Sequence, residues 1–309
     1  MAERAELIAD AGASVVADEF FRSAAFCEAE RVTHTLRIDG AAGSARVPLI
    51  VRAIDGSRLA DAVSPYGYPG GEVVGEPPDP GAVDWSATGL VSVFGRERLA
   101  GRHWIGGARE RSPVMVHDPA RPRRVRRRLA EQIRGNERAG WGVVALRGPT
   151  ADEEARSGFE RAYAETMRRQ QAAARYFFTS DYFRAVLGFE RSWLLLARSH
   201  EGAIGAGAIA ALSDGLLHYY LGGTADDHLA ASPFKNVVEA MVGLADELGT
   251  PLNLGGGVRP GDGLERFKRG FANAERAFST HELVCDAAEY ERLSAGRPEG
   301  EFFPRYRAP

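Results

Sequence analysis

Residues 252–271 read Leu-Asn-Leu-Gly-Gly-Gly-Val-Arg-Pro-Gly-Asp-Gly-Leu-Glu-Arg-Phe-Lys-Arg-Gly-Phe, a pattern that decides how the C-terminal half of the chain folds. Leu252 and Leu254 alternate with a polar residue, which predicts a short buried strand. The glycines at positions 255–257 follow, and their lack of a side chain allows a ligand or a crossing strand to approach the backbone. From Leu264 onward the apolar residues recur at helical spacing and predict a short helix.

This predicted helix carries Lys268, one of very few lysines in the chain. Of the 39 lysines and arginines only Lys235 and Lys268 are lysines, which leaves 37 arginines. Because arginine is the usual cation here, a lysine indicates a need for a compact, rotatable ammonium. Leu264, Phe267 and Phe271 share one face of the helix, and Lys268 lies beside it. The alternative is a lysine whose stem follows this face and whose ammonium reaches solvent without a role.

Length and composition bound the architecture. A chain of 309 residues with 44% hydrophobic residues can bury a large core, and its length favours two domains of roughly 150 residues. We expect them at residues 1–118 and 119–309. The formal net charge is −3, so any contact with nucleic acid must come from a local basic patch.

Several functional classes are disfavoured by what the sequence lacks. Residues 1–21 contain no apolar run typical of a signal peptide, and no later stretch approaches 18 apolar residues, which predicts a cytoplasmic protein without membrane contact. Cys27 and Cys285 lie far apart and have no companion at zinc-ligand spacing. We expect free buried thiols and no metal site.

The N-terminal half begins with a helix and a hairpin. Strand-like runs at residues 31–38 and 46–54 flank a turn-rich segment and predict that hairpin. Residues 64–71 then form a loop of prolines and glycines that presents Tyr66 and Tyr68. These tyrosines either contact a substrate or pack against the edge of the core.

An arginine-rich helix is predicted after Asp118, which would cap it, as far as Ala139. Between Arg121 and Arg138 there are eight arginines against Glu131 and Glu137. Such an excess suits a polyphosphate partner, because arginine neutralises phosphates independently of base sequence. The alternative is a solvated helix face.

The C-terminal half alternates helices and strands. The patterns predict two helices at residues 152–175 and 181–187, followed by an antiparallel meander of three strands at 192–199, 203–212 and 216–222. A helix at 232–248, capped by Ser232, leads into the strand that contains Leu252 and Leu254 and then into the Lys268 helix. A strand at 277–284 and a helix at 287–293 complete the pattern.

This order resembles the acyltransferase fold of the GNAT superfamily. Three stretches of the chain are similar to the FemAB/FemX family. They are the glycines at 255–257 followed by Gly263-Leu-Glu-Arg-Phe-Lys-Arg-Gly-Phe271, the run Tyr163-Ala-Glu-Thr-Met-Arg-Arg169 and the loop Ser64-Pro-Tyr-Gly-Tyr68. The resemblance covers about residues 20–295. It implies an α/β protein of two tandem GNAT-like domains, each a mixed, mostly antiparallel sheet flanked by helices. It also implies an aminoacyltransferase that moves an amino acid from tRNA to an acceptor amine of a small molecule.

The resemblance and the residue patterns together name candidate site residues. Lys268 is the candidate catalytic residue, as a donor to the oxygen that becomes negative during the reaction. The candidate substrate-binding residues are Tyr66, Tyr68, Arg169, Tyr220, Gly256 and Phe267, and the candidate tRNA-binding residues are Arg124, Arg127 and Arg128. No cofactor is expected besides aminoacyl-tRNA as co-substrate.

Two departures keep alternatives open. The long helical hairpin that some family members use for tRNA has no counterpart in the sequence, and the acceptor-contacting positions cannot be matched. Acyl-CoA-dependent relatives carry a glycine loop for the pyrophosphate, whereas residues 224–236 contain Asp226 and Asp227 and no such spacing. The alternatives are an acyl-CoA-dependent N-acyltransferase on the same fold and a non-catalytic scaffold that binds RNA or protein.

Overall fold

The computed structural model describes residues 3–123, 125–257 and 259–308. These residues form two compact units. The first unit takes the chain up to Arg111 and again from Ala277 onward, and the second is Ser112–Arg276. This division differs from the expected boundary between residues 118 and 119, because the chain re-enters the first unit near its end. The returning strand pairs antiparallel with Leu90–Arg96 of the first unit.

The elements are numbered in chain order. The described strands are β1 Glu3–Ile8, β2 His34–Asp39, β3 Gly43–Ala53, β4 Ala60–Val63, β5 Glu72–Gly75, β6 Val83–Asp84, β7 Leu90–Arg96, β8 Arg109–Glu110, β9 Val114–His117, β10 Gly142–Arg147, β11 Ser192–Arg198, β12 Ile204–Ser213, β13 Leu216–Thr224, β14 Leu252–Gly255, β15 Ala274–Arg276 and β16 Ser279–Val284. The α-helices are α1 Ala24–Ala29, α2 Arg127–Arg138, α3 Glu153–Arg169, α4 Ser180–Leu187, α5 Phe234–Leu248, α6 Gly263–Arg269 and α7 Ala287–Ser294. A search of the described residues finds no helix with the length and apolarity needed to cross a membrane.

The first unit is built on a sheet in the order β6-β1-β2-β3-β4-β7-β16-β8, with β5 paired to β3. β2 and β3 pair antiparallel, with Leu36 opposite Val47, and so confirm the predicted hairpin. β4 and β7 pair parallel, which makes the sheet mixed. Leu36, Val47 and the fully buried Trp104 belong to one apolar cluster that forms the core of this unit.

The second unit has a sheet in the order β10-β11-β12-β13-β14-β9-β15. β11, β12 and β13 form the predicted antiparallel meander, and β14 joins β13 in parallel. The strand predicted at residues 277–284 does not close this sheet. β15 closes it by pairing with β9, and β16 pairs with β7 in the first unit, so the chain changes sheets between Arg276 and Ser279.

Helices pack on both faces of the second sheet because each carries an apolar stripe. α5 places Val237 and Met241 in the core cluster with side chains of β11 and β12. On the other face the α3 backbone approaches β13 closely, since a Cβ added to Gly223 would lie 2.5 Å from the carbonyl oxygen of Ala162. The unit is therefore a sheet between two helical layers.

Two helices begin later than the sequence indicates. α2 starts at Arg127 instead of directly after Asp118. Pro122 lacks an N–H and disfavours a helical residue before it, which accounts for the absence of a helix directly after Asp118. α5 starts at Phe234 without a side-chain cap, and Ser232 has a φ of 51°. The predicted end of α5 is confirmed, since Gly249 follows it with a φ of 61°.

Candidate active site

Lys268 lies inside the second unit and not on a solvated face. Its helix α6 is capped by Asp262, whose carboxylate Oδ1 accepts the backbone N–H of Glu265 at 2.7 Å. Lys268 is 8% exposed, and its Nζ donates to the carbonyl oxygen of Gly256 at 2.8 Å. The same Nζ lies 5.5 Å from the ring centroid of Tyr219. The lysine therefore has an acceptor on one side and an aromatic face on another.

Burial changes the acid strength of this ammonium. Removal from water disfavours its charged form and lowers the pKa of Lys268 to about 8, although the carboxylate of Asp262 acts in the opposite direction. At pH 7 the group still carries its proton in most molecules. A desolvated cation with a pKa close to neutrality is typical of a functional group.

The site lies where two strands of the second sheet separate. β13 and β14 pair at two positions, Leu217 with Leu252 and His218 with Asn253. β13 continues to Thr224, whereas β14 ends at Gly255, which has a φ of 78°. The glycines at 255–257, the first of which ends β14, form the glycine turn. A positive φ of this kind is accessible to glycine at little cost. Since Lys268 reaches both Gly256 and Tyr219, its ammonium lies at this opening.

Buried polar side chains hold the glycine turn in place. His218 is fully buried, which lowers its pKa to about 4 and keeps the ring neutral. Its Nε2 lies 3.1 Å from the carbonyl oxygen of Ser213 and can only donate there, so Nδ1 accepts from the amide Nδ2 of Asn253 at 3.1 Å. The Asn253 Oδ1 is then free to accept the N–H of Gly255 at 2.8 Å. This chain of hydrogen bonds ends one residue before the carbonyl that binds Lys268.

Gly256 and Phe267, both predicted to bind substrate, lie with Lys268. Gly256 supplies the carbonyl, and the ring of Phe267 packs against Phe234 of α5 and Phe271, with centroids 6.1 and 5.2 Å apart. Phe234 in turn contacts Tyr219 at 5.8 Å. The aromatic side chains thus form an apolar wall beside the ammonium.

Tyr220 and Arg169 lie elsewhere in the second unit. The hydroxyl of Tyr220 is hydrogen-bonded to that of Tyr182 on α4, on the face of the sheet opposite to α5. Arg169, the last residue of α3, forms an ion pair with Asp226 and donates to Thr166 Oγ1 at 3.1 Å. The neighbour that Lys268 does have, Tyr219, was missed because strand alternation does not say which of two adjacent tyrosines faces a given helix.

Tyr66 and Tyr68 belong to the first unit and differ in exposure. Tyr66 is 39% exposed, and its backbone N–H donates to Glu30 Oε2 at 2.9 Å. The ring of Tyr68 packs edge-on against Phe21 and Phe278, with centroids 5.8 and 5.3 Å away. The ring of Tyr68 therefore contributes to packing, while Tyr66 presents a larger surface to solvent.

The arginine-rich segment is partly neutralised by neighbours. Arg124 lies outside the described residues. Arg127 has a 91% exposed side chain and pairs with Glu131 at 2.7 Å, and Arg128 is also exposed. Arg123 is held by Glu239 at 2.5 Å and is therefore less available to a partner than its sequence position indicates.

No protein-family model matches the chain, and no curated protein matches it. Solved structures match it over most of its length, among them FemX at a TM-score of 0.59 and 12% identity, over 87% of this chain and 93% of that chain. The C-terminal domain of a putative lysylphosphatidylglycerol synthetase from Agrobacterium fabrum matches at a TM-score of 0.54 and 13% identity, over 79% of this chain and 82% of that chain. L-PGS from Bacillus licheniformis matches at a TM-score of 0.52 and 12% identity, over 82% of this chain and 84% of that chain. The chain therefore has the fold of two tandem GNAT-like domains, and its resemblance to FemX is confirmed in that fold.

Proposed function

We propose that the protein transfers an aminoacyl group from tRNA to the amine of a small molecule. The observation that carries the proposal is the buried ammonium of Lys268, which lies at the opening between β13 and β14 on a fold shared with FemX. An amine is proposed as the acceptor because the resemblance to the FemAB/FemX family implies one, and FemX matches 87% of this chain at a TM-score of 0.59.

The reaction requires the protein only to position the two substrates and to stabilise the negative charge that develops. The amine nitrogen attacks the ester carbonyl carbon, the C–N bond forms, the bond to the ribose oxygen breaks, and one proton passes from the nitrogen to that oxygen. Negative charge develops on the carbonyl oxygen during the attack. Lys268 donates to that oxygen, and a fixed donor in a site shielded from water stabilises this charge more than water does.

A direct transfer fits the chain better than a covalent acyl-enzyme. Burial raises the pKa of the Cys27 thiol to about 11 and that of Cys285 to about 12. A thiol attacks an ester as its thiolate, which both residues populate very little at neutral pH. Neither cysteine is therefore suited to carry the aminoacyl group between donor and acceptor.

The test is an incubation of the protein with charged total tRNA and a panel of amines, with and without RNase. A product that contains an amide bond and disappears after RNase treatment is expected. Parallel reactions contain acyl-CoA donors in place of tRNA. Product from acyl-CoA alone would assign the protein to the N-acyltransferases instead, and tRNA binding without any product would favour the scaffold.

Arg127 and Arg128 are expected to contribute to tRNA affinity by neutralising its phosphates. Replacement of both by Gln should weaken binding and reduce the slope of log affinity against log salt by roughly 0.7 to 0.9 for each phosphate that is no longer neutralised. The matched control is Arg292→Gln, which removes an exposed helical arginine that pairs with Glu289 much as Arg127 pairs with Glu131. Equal salt slopes for the double variant and the control would exclude a tRNA contact at α2.

Tyr66 is expected to bind the acceptor through its hydroxyl. Tyr66→Phe keeps the ring and should raise the acceptor KM about fivefold, because removal of a hydrogen bond costs on the order of 1 kcal/mol. Tyr68→Phe is expected to raise the same KM, whereas Tyr68→Ala should also lower the melting temperature, since its ring packs on Phe21 and Phe278. Steady-state kinetics of the two Phe variants with an unchanged KM would remove both tyrosines from the acceptor site.

A further inference from the structure

We propose that Glu97, His103 and His281 bind a divalent transition-metal ion. One ligand atom from each side chain lies within 4.8 Å of the other two. Two imidazoles and one carboxylate form a donor set that binds zinc, and also ferrous iron, with a coordination position left open. All three residues belong to the first unit, whereas Lys268 belongs to the second.

The sheet of the first unit brings together residues that are distant in sequence. Glu97 directly follows β7, and its N–H donates to the carbonyl oxygen of Ser279 at 3.0 Å. His281 lies on β16, opposite Gly95 of β7. His103 follows Glu97 by six positions on the segment that leaves β7. No local spacing in the sequence indicates this group, because one ligand comes from the part of the chain that returns to the first unit.

The carboxylate at the centre of the group is buried and only partly satisfied. Glu97 is 1% exposed, and its Oε1 accepts the N–H of Trp104 at 3.0 Å and lies 2.6 Å from His281 Nε2. Its Oε2 is buried and has no hydrogen-bond partner among the described residues, and the same holds for His281 Nδ1. A buried carboxylate oxygen without a donor is unfavourable. A metal ion held by this carboxylate would place a positive charge beside the unpartnered Oε2.

The surroundings close the group on one side and open it on another. The ring of the fully buried Trp104 packs edge-on against His281, with centroids 4.7 Å apart. Gly95 makes room for this tryptophan, since an added Cβ would lie 2.6 Å from its ring. The His103 side chain, in contrast, is 51% exposed. An ion would therefore enter beside His103 and meet the two buried ligands behind it.

The distances fit a site that is completed when the ion binds. Ligand atoms at about 2.0–2.2 Å from a tetrahedral zinc lie roughly 3.3 Å from one another. His103 Nδ1 is 3.4 Å from Glu97 Oε1 and fits this spacing, whereas His281 Nε2 is at hydrogen-bond distance from the same oxygen. Binding requires that the proton on His281 move from Nε2 to Nδ1, so that the Nε2 lone pair can bind the ion. It also requires that the distance between His281 Nε2 and Glu97 Oε1 increase by several tenths of an ångström.

The test compares zinc binding by three proteins stripped of metal. Isothermal titration of the wild type with ZnCl₂ at pH 8 should give one ion per chain, and zinc should raise its melting temperature. His103→Ala alters an exposed side chain and should weaken zinc binding by at least about 10-fold. His200→Ala is the matched control, because His200 also lies near a carboxylate, that of Glu201 at 3.8 Å, on an exposed turn.

Further arms define the ion and guard against misfolding. Glu97→Gln keeps the shape but removes the charge and should abolish stoichiometric zinc binding, with folding checked by circular dichroism. Mg²⁺ and Ca²⁺, which prefer oxygen ligands, should not raise the melting temperature. Fe²⁺ is titrated in parallel under anaerobic conditions, and because such donor sets generally bind zinc more tightly than Fe²⁺, tighter binding of Fe²⁺ would assign an iron site. Absence of stoichiometric binding of either ion, or equal zinc affinity in His103→Ala and His200→Ala, would show that Glu97 and His281 form only a hydrogen-bonded pair.

Discussion

Lys268→Met is expected to lower the rate of aminoacyl transfer in a single turnover by about 100- to 1000-fold, which is the usual effect of removing one donor to a developing oxyanion. Methionine keeps most of the unbranched stem and removes the ammonium that contacts Gly256 and Tyr219. Single-turnover rates with pre-charged tRNA measure the chemical step separately from tRNA binding and product release. Lys235→Met is the control, because it removes the other lysine of the chain.

The same variant should fold at least as well as the wild type. The buried ammonium opposes folding, since burial lowers its pKa to about 8, so its removal should leave the melting temperature at pH 7 unchanged or raise it. The wild-type rate should fall as the pH rises through about 8, because the lysine then loses the proton that it donates. A Lys268→Met protein that folds, binds tRNA and transfers within about threefold of the wild type would refute the proposed mechanism.

Local patterns predicted the parts of the fold that depend on neighbours in sequence. The β2–β3 hairpin and the β11–β13 meander follow from alternating residues and tight turns. The return of β16 to the first sheet could not be predicted, because the strand at residues 279–284 has the same alternation whichever sheet it joins. Pairing partners of distant strands are decided by tertiary packing and not by periodicity.

The candidate site shows the same limit at the level of single residues. Its lysine, glycine turn and Phe267 were predictable because they lie within 16 residues of one another in one continuous motif. Tyr219 was not, because the register of β12 and β13 shifts between Ile209 and Ala210 and disturbs a simple alternation. His218 and Asn253 were missed because a buried histidine or asparagine gives no signal in sequence until its partners are known.

Asn253→Leu is expected to raise the pKa of Lys268 from about 8 toward the ordinary value of about 10.4, although residue 253 does not contact the lysine. Leucine is similar in size but cannot accept the N–H of Gly255 or donate to His218, so two buried polar groups lose their partner. The glycine turn should then loosen, and water should reach the ammonium. Because burial is the main cause of the lowered pKa, hydration should reverse most of it.

The chain offers a direct measurement of this effect. Because Lys235 and Lys268 are the two lysines of the chain, protein labelled with ¹⁵N-lysine gives two side-chain NMR signals. The Lys235→Met variant assigns them, and an NMR titration then measures the pKa of each lysine without any substrate. Asn236→Leu is the matched control, because Asn236 is equally enclosed but binds Asn136 and the carbonyl of Ile133. Both variants should lose a similar amount of stability, and only Asn253→Leu should shift the Lys268 titration. If that pKa stays near 8 in a folded Asn253→Leu protein, the His218–Asn253 chain supports the sheet alone, and the burial of Lys268 is fixed by α6 and its aromatic neighbours.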